Sequence, residues 1–274
     1  MGKVLIIDLT KCNGCHNCQI ACKDEHVGND WSPIAAPEPL TGQFWVKVSD
    51  TVRGSFPKVK VAYLLTICQH CDNAPCIDAC PNGAIYKRSD GIVIIDPEKC
   101  KGSKNCIEAC PYEGVIYFNE DLNIAQKCTF CAHLIDKGWE ETRCSDACPT
   151  GALTFGEEDE LEDLIAEAET LKPELGTRPR VYYKGLPKRF IAGTVFDPKA
   201  DEVLIDAEVD ILNISNGKHT SARTDDFGDF WVDGLLPDRY TVIIRKSGYS
   251  EKRLDTDITG KDVNLGDIAM HGEL

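Results

Sequence analysis

Several absences narrow what this chain of 274 residues can be. No apolar run approaches the length of a membrane-spanning helix. The opening, MGKVLIIDLTKC, holds only a few apolar residues before Lys11 and Cys12, too few for a secretory leader, so that run reads as a strand. The expectation is a cytoplasmic chain without direct membrane insertion. Basic residues number 30 against 45 acidic ones, for a formal charge of -15; phosphate binding asks for a basic patch, so nucleic acid is not an expected partner. There is no nucleotide-binding glycine fingerprint, no HExxH and no GxSxG, which assigns no catalytic residue here and leaves the chemistry to a partner. Cysteine is missing from residues 149 to 274 although fifteen precede them, a break that argues for two domains.

What is present is a series of cysteine groups. Cys12, Cys15, Cys18 and Cys22 form CxxCxxCxxxC; Cys68, Cys71, Cys76 and Cys80 form a second quartet; Cys100, Cys106 and Cys110 form an incomplete third; Cys128, Cys131, Cys144 and Cys148 form a fourth. A short loop brings successive thiolates to one concave surface around a small inorganic core. A remote Cys followed by Pro then completes the neighbouring cluster, as in two-cluster ferredoxins. That exchange joins Cys12, Cys15 and Cys18 to Cys148, joins Cys128, Cys131 and Cys144 to Cys22, and joins Cys68, Cys71 and Cys76 to Cys110. The reciprocal fourth set would use Cys80, Cys100, position 103 and Cys106, but position 103 is Ser. A neutral hydroxyl is a poor, hard replacement for thiolate at iron. Three outcomes stand: no fourth cluster, which is the expected one, a three-iron cluster, or a Ser-ligated four-iron cluster. Zinc also accepts four cysteines, but the interleaved triplets disfavour it. Disulfides fit neither the spacings nor a reducing compartment. His16, His70 and His133 lie beside loops that already have their ligands, so they read as surface or neighbouring residues, with His16 or Lys11 as the candidates for tuning a cluster.

Along the chain, VLIIDL reads as a strand, QIACKDEH at 19–26 as a short helix, and about 23–67 as an insertion whose FWVKV and VKVAYLL segments are strands. ACPNGAIYK, ACPYEGVIYF and ACPTGALTF repeat one unit, in which Pro stops a helix after the last cysteine and Gly permits the turn before a strand. EDELEDLIAEAETL at 158–171 has Leu161, Leu164, Ile165 and Ala168 on one helical stripe. An irregular connector follows. From Phe190, short strand candidates divided by turns predict a small antiparallel sandwich, with Asn216-Gly217 suited to a tight hairpin. Asp225, Asp226 and Asp229 read as a surface turn rather than a calcium site.

On these motifs, the first 155 or so residues resemble the electron-transfer beta subunits of molybdenum and tungsten bis-pterin enzymes of the dimethyl sulfoxide reductase family, with Ser103 as the principal departure. The tail, IAGTVFD, IDAEVDILN and TDDFGDFWVDGLLPDRYTVIIRKSGY, resembles a transthyretin-like or carboxypeptidase-regulatory-like sandwich. The expected fold is α+β: a double two-cluster ferredoxin-like domain over 1–155 with its insertion, a helix and connector over 156–189, and an all-β transthyretin-like sandwich over 190–274. A relay short of one Cys joined to such a sandwich resembles the small subunits of that family's molybdenum hydroxytransferases. The resemblance implies three [4Fe-4S] clusters on this chain and a large catalytic alpha subunit carrying molybdenum with two pterin guanine dinucleotides. It implies hydroxyl exchange among polyhydroxybenzenes, converting pyrogallol to phloroglucinol with 1,2,3,5-tetrahydroxybenzene as cosubstrate. An electron-transfer subunit of another molybdenum or tungsten oxidoreductase, and a chiefly structural partner, are the alternatives.

Overall fold

The computed structural model describes residues 2–273. It divides into two compact units, one running to Asp50 and resuming at Tyr63–Leu186, the other made of Thr51–Ala62 and the chain from Pro187 onward.

In the first unit, Lys3–Asp8 (β1) leads into the first cysteine loop and the helix Asn17–His26 (α1). A two-stranded ribbon follows, Val46–Ser55 (β2) with Lys58–Ile67 (β3), of which residues 51–62 belong to the second unit. Three short modules come next: Pro75–Asp78 (α2) with Ile85–Lys87 (β4) and Val93–Ile95 (β5); Asn105–Ala109 (α3) with Ile116–Asn119 (β6) and Ile124–Lys127 (β7); Ala132–Ile135 (α4) and Arg143–Asp146 (α5) with Leu153–Glu157 (β8). Glu162–Ala166 (α6) and Val181–Lys184 (β9) close the unit.

The ACP repeats explain the modules. Ala79, Cys110 and Ala147 stand at the C-terminal ends of α2, α3 and α5. The glycines that follow, Gly83, Gly114 and Gly151, all take positive φ, at 60°, 67° and 62°, where a Cβ would strain the turn into the next strand. β1 is central, antiparallel to β8 and parallel to β9. A strand flanked on both sides and buried on both faces needs an unbroken apolar run rather than alternation; Val4, Leu5 and Ile7 are fully buried. Leu5 and Ile7 pack with Trp45, Leu65, Phe130 and Tyr183, while Val93, Ile95, Ile116 and Ala125 build a second core around Cys71, Cys76 and Cys106.

Two readings of the sequence need correction here. The stretch 158–171 is helical only over Glu162–Ala166, with none of those residues buried; Leu161, Ile165 and Ala168 of its apolar stripe are only half-covered, and propensity alone does not hold so short a helix. The connector is not irregular throughout. Within it β9 buries Val181 and Tyr183 completely, and the Tyr183 hydroxyl donates to the Leu65 carbonyl at 3.1 Å while accepting from Gln69 Nε2 at 3.1 Å.

The second unit is a sandwich of Arg189–Asp197 (β10), Glu202–Val203 (β11), Glu208–Asn213 (β12), His219–Arg223 (β13), Asp229–Leu235 (β14), Arg239–Arg245 (β15), Lys252–Asp257 (β16) and Val263–Ala269 (β17). One sheet runs β11-β10-β14 with β17 also on β10; the other runs β13-β12-β15-β16. Tyr240, Val242 and Ile244 face the shared core with Ile191, Val209, Ile211 and Phe230. The sandwich is not purely antiparallel, because β17 pairs parallel to β10, across an irregularity between Ala192 and Thr194. Asn216-Gly217 is not a two-residue hairpin. Asn213 and Lys218 flank a longer loop in which Gly217 alone of the pair is left-handed, at φ 70°. Asp225 accepts from the backbone of Phe227 and Asp229, at 2.9 Å each, so it serves its turn.

The ribbon residues of this unit are tied to the sandwich by ion pairs. Arg53 reaches Asp262 with Nε at 2.9 Å and Nη2 at 2.7 Å, and the Phe190 N–H donates to the same carboxylate at 3.0 Å. The Asp262 side chain is 3% exposed. Asp262→Ala leaves a largely buried guanidinium without its partner and is expected to cost about 3 kcal/mol. The denaturant midpoint of the second unit's unfolding transition checks this; a loss below about 1 kcal/mol would place the pair among solvated surface bridges.

Candidate metal centre

The first cysteine loop leaves β1 and enters α1 through two left-handed residues, Gly14 at φ 70° and His16 at φ 63°. A Cβ on Gly14 would lie 2.2 Å from the Tyr63 ring, so the loop depends on glycine there. Cys12, Cys18 and Cys148 are brought together. Burial, and then Cys144, Cys148 and Cys12, push the Cys18 thiol up to about 12. Cys15 is exposed on the same loop. The Ala152 N–H donates to Cys148 Sγ at 3.3 Å; such bonds favour the charged sulfur, and the Cys148 thiol sits below its ordinary value although burial opposes this.

Cys22 projects from α1, which packs on α5. Burial, and then Cys128, Cys131 and Cys144, push its thiol well above the ordinary range. Cys144 is set by a capping box at the start of α5, in which the Ser145 N–H donates to Thr142 Oγ1 at 3.3 Å and the Thr142 N–H donates to Ser145 Oγ at 3.0 Å. The third group lines a small cavity, whose walls include Cys68, Cys71, Cys76 and Cys110 together with His70 and Tyr112. Burial and then Cys68 push Cys71 and Cys76 up to about 12. These groups adjoin in series: Cys144 acts on Cys18, and Cys68 acts on Cys128.

The remaining thiols, Cys80, Cys100 and Cys106, also gather. Burial, then Cys100 and Cys80, push Cys106 up to about 11. Their loop repeats the first one residue for residue: Gly102 takes φ 72° as Gly14 does, Lys104 takes φ 61° as His16 does, and each loop then enters a helix at an Asn. Ser103 therefore stands where Cys15 stands, and both are exposed.

The donors fit an iron-sulfur cluster. The thiols gather in sets on short loops, and buried ones such as Cys18, Cys71 and Cys76 are pushed up by burial first and by neighbouring thiols after it, the arrangement expected around a larger, soft, sulfide-containing core. Binding deprotonates them and supplies the missing countercharge.

Of the two readings of the histidines, surface or neighbouring, the surface one fails for His70 and His133, which are 0% and 5% exposed. Sequence reasoning also missed His26, 1% exposed, whose Nδ1 donates to the Cys22 carbonyl at 2.9 Å and whose ring lies 4.5 Å from that of Trp45; its i+4 spacing from Cys22 on a helix was the available signal. His133 meets Glu25 at 3.0 Å. Buried Lys127 donates to the carbonyls of Val93 and Cys128.

Comparison with known proteins follows the same division. Residues 59–158 match the 4Fe-4S dicluster domain family, and residues 191–271 match the carboxypeptidase regulatory-like domain family. The first unit thus carries a mixed α/β iron-sulfur domain, and the second is an all-β sandwich. No helix among the described residues is long and apolar enough to cross a membrane. The arsenate respiratory reductase iron-sulfur subunit of Shewanella sp. strain ANA-3 is 34% identical over 65% of this chain and 94% of its own. A tetrathionate reductase subunit of Salmonella typhimurium is 34% identical over 68% of this chain and 74% of its own. The pyrogallol hydroxytransferase small subunit of Pelobacter acidigallici is 41% identical over 97% of this chain and 98% of its own. The last of these similarities covers nearly the whole of both chains, and on that extent and identity the chain belongs to the family of the pyrogallol hydroxytransferase small subunit.

Proposed function

We propose that this chain is the noncatalytic iron-sulfur subunit of a cytoplasmic molybdenum hydroxytransferase, acting in electron transfer and assembly beside a large subunit that holds molybdenum and two pterin guanine dinucleotides. The large subunit converts pyrogallol to phloroglucinol with 1,2,3,5-tetrahydroxybenzene as cosubstrate. In this reading the first unit is a doubled two-cluster ferredoxin. Cys12, Cys15, Cys18 and Cys148 hold one [4Fe-4S] cluster, Cys22, Cys128, Cys131 and Cys144 a second, and Cys68, Cys71, Cys76 and Cys110 a third. Bound there, the clusters supply one-electron storage and transfer. Cys80, Cys100, Ser103 and Cys106 hold none.

The observation that carries this reading is the serial adjacency of the three complete thiol groups, Cys18 beside Cys144 and Cys128 beside Cys68. The chain's part is to hold those sulfurs on loops and short helices and to bury most of them, Cys15 being exposed. Net hydroxyl exchange consumes no electrons overall, so the relay is needed to activate or re-reduce the partner's metal rather than at every turnover. The test compares the large subunit alone with the reconstituted pair after mild chemical reduction. Activation is expected only in the pair; equal activation and turnover by the large subunit alone would reject the electron role. The second reading, a subunit of another oxidoreductase, draws on the arsenate and tetrathionate relatives, whose similarity covers about two thirds of this chain. Steady electron flow to an external acceptor without hydroxyl exchange would favour it.

A further inference from the structure

His70 is wholly buried and stacks on Phe130 with ring centroids 3.8 Å apart. Its Nδ1 accepts the Val93 N–H at 3.0 Å. An amide N–H can only donate, so Nδ1 bears no proton and the ring's one proton is on Nε2. Nε2 is buried and has no hydrogen-bond partner among the described residues. A buried N–H left in that state is costly, which is why such groups in folded proteins almost always have an acceptor. His70 forms part of the wall of the cavity shared by Cys68, Cys71, Cys76 and Cys110. Val93, whose N–H orients the ring, also accepts from Lys127 through its carbonyl, and Lys127 also binds the Cys128 carbonyl. One residue therefore fixes both the tautomer of His70 and the buried Lys127 side chain next to Cys128.

The geometry points to His70 as a tuning residue, whose Nε2–H donates to a sulfur of the cluster held by Cys68, Cys71, Cys76 and Cys110. This inference rests on the iron-sulfur reading above. Hydrogen bonds to cluster sulfurs stabilise the more negative, reduced form and raise its potential. His16 and Lys11, the candidates for this role from sequence position, are not buried.

The test uses anaerobically isolated holoprotein. In the unmutated protein carrying nitrogen-15 histidine, pulsed electron paramagnetic resonance of the reduced state is expected to show a histidine nitrogen and an exchangeable proton coupled to one cluster. His70→Phe keeps an aromatic ring against Phe130 and removes the donor. It is expected to make reduction of one cluster at least tenfold less favourable, a fall of about 59 mV for a one-electron couple, and to abolish the nitrogen coupling with iron content unchanged. His70→Gln, which can again offer an N–H, is expected to recover part of the shift. Unchanged midpoints in fully loaded His70→Phe, or no histidine coupling in the labelled unmutated protein, would overturn the inference. Should His70→Phe lose iron, the labelled unmutated protein decides the matter alone. Unmutated protein without iron and sulfide would instead overturn the underlying cluster assignment.

Discussion

Ser103→Cys is expected to add about four iron atoms per chain, taking the total from about twelve to about sixteen. The backbone for a fourth site is already in place. Gly102 and Lys104 adopt left-handed conformations whose φ matches that of Gly14 and His16 within a few degrees, and Asn105, like Asn17, begins a helix immediately afterwards. Cys106 is 5% exposed, Cys100 and Cys80 lie close enough to raise its thiol, and the Ala125 N–H donates to Cys100 Sγ at 3.4 Å. Ser103 supplies oxygen at the one remaining position. A neutral hydroxyl competes poorly for iron that already has sulfide and thiolate ligands, and the substitution returns the missing soft donor without asking the loop to move. Iron and acid-labile sulfide analysis of the variant, with a new signal in electron paramagnetic resonance on reduction, is the check. An unchanged iron content would mean that the three thiols are held too far apart, whatever the loop conformation.

The converse substitution, Cys22→Ser, is expected to remove about four iron atoms, roughly a third of the total, and to loosen the first unit. Cys22 sits on α1, while its proposed companions lie more than a hundred residues further along the chain at Cys128, Cys131 and Cys144. Cluster ligation across that span closes a long loop, and the binding energy of such a site is also folding energy. Cys22 is 4% exposed and surrounded by the other thiols, so a serine hydroxyl there gains no solvent in exchange for the lost bond. Cys80→Ala is the matched control: it removes a thiol from the incomplete site and is expected to leave iron unchanged. Hydrogen exchange of the α1 and α5 backbone, compared between the two variants, separates loss of the staple from simple loss of a buried side chain.

How much of this was visible in the sequence depends on how local each signal is. Ligand spacing is local, so the cysteine loops and the ACP turns could be found from residue order, as could the alternation of Tyr240, Val242 and Ile244 in β15. The left-handed conformations of His16 and Lys104 were not visible, because neither residue type announces them. β9 was missed because VYYK lies in a stretch rich in Pro and Gly, and its register is fixed by pairing with β1 and by a bridge from Tyr183 to Glu169. Nothing in Thr51–Ala62 signals that these residues belong with the sandwich; that follows from long-range pairs such as Arg53 with Asp262. β16, KRLDTD, alternates polar with polar apart from Leu254, and β17 carries Gly266 at φ 70° inside a strand, so both escaped a search for hydrophobic period. The role of His70 depends on a bond from Val93 and on burial, neither of which a cysteine motif specifies.

The central claim is that these thiols hold three four-iron clusters. Quantifying iron, acid-labile sulfide and zinc in anaerobically prepared protein tests it most directly. About twelve iron and about twelve sulfide per chain, without zinc, is the predicted result; stoichiometric zinc, or disulfides between these cysteines, would contradict it.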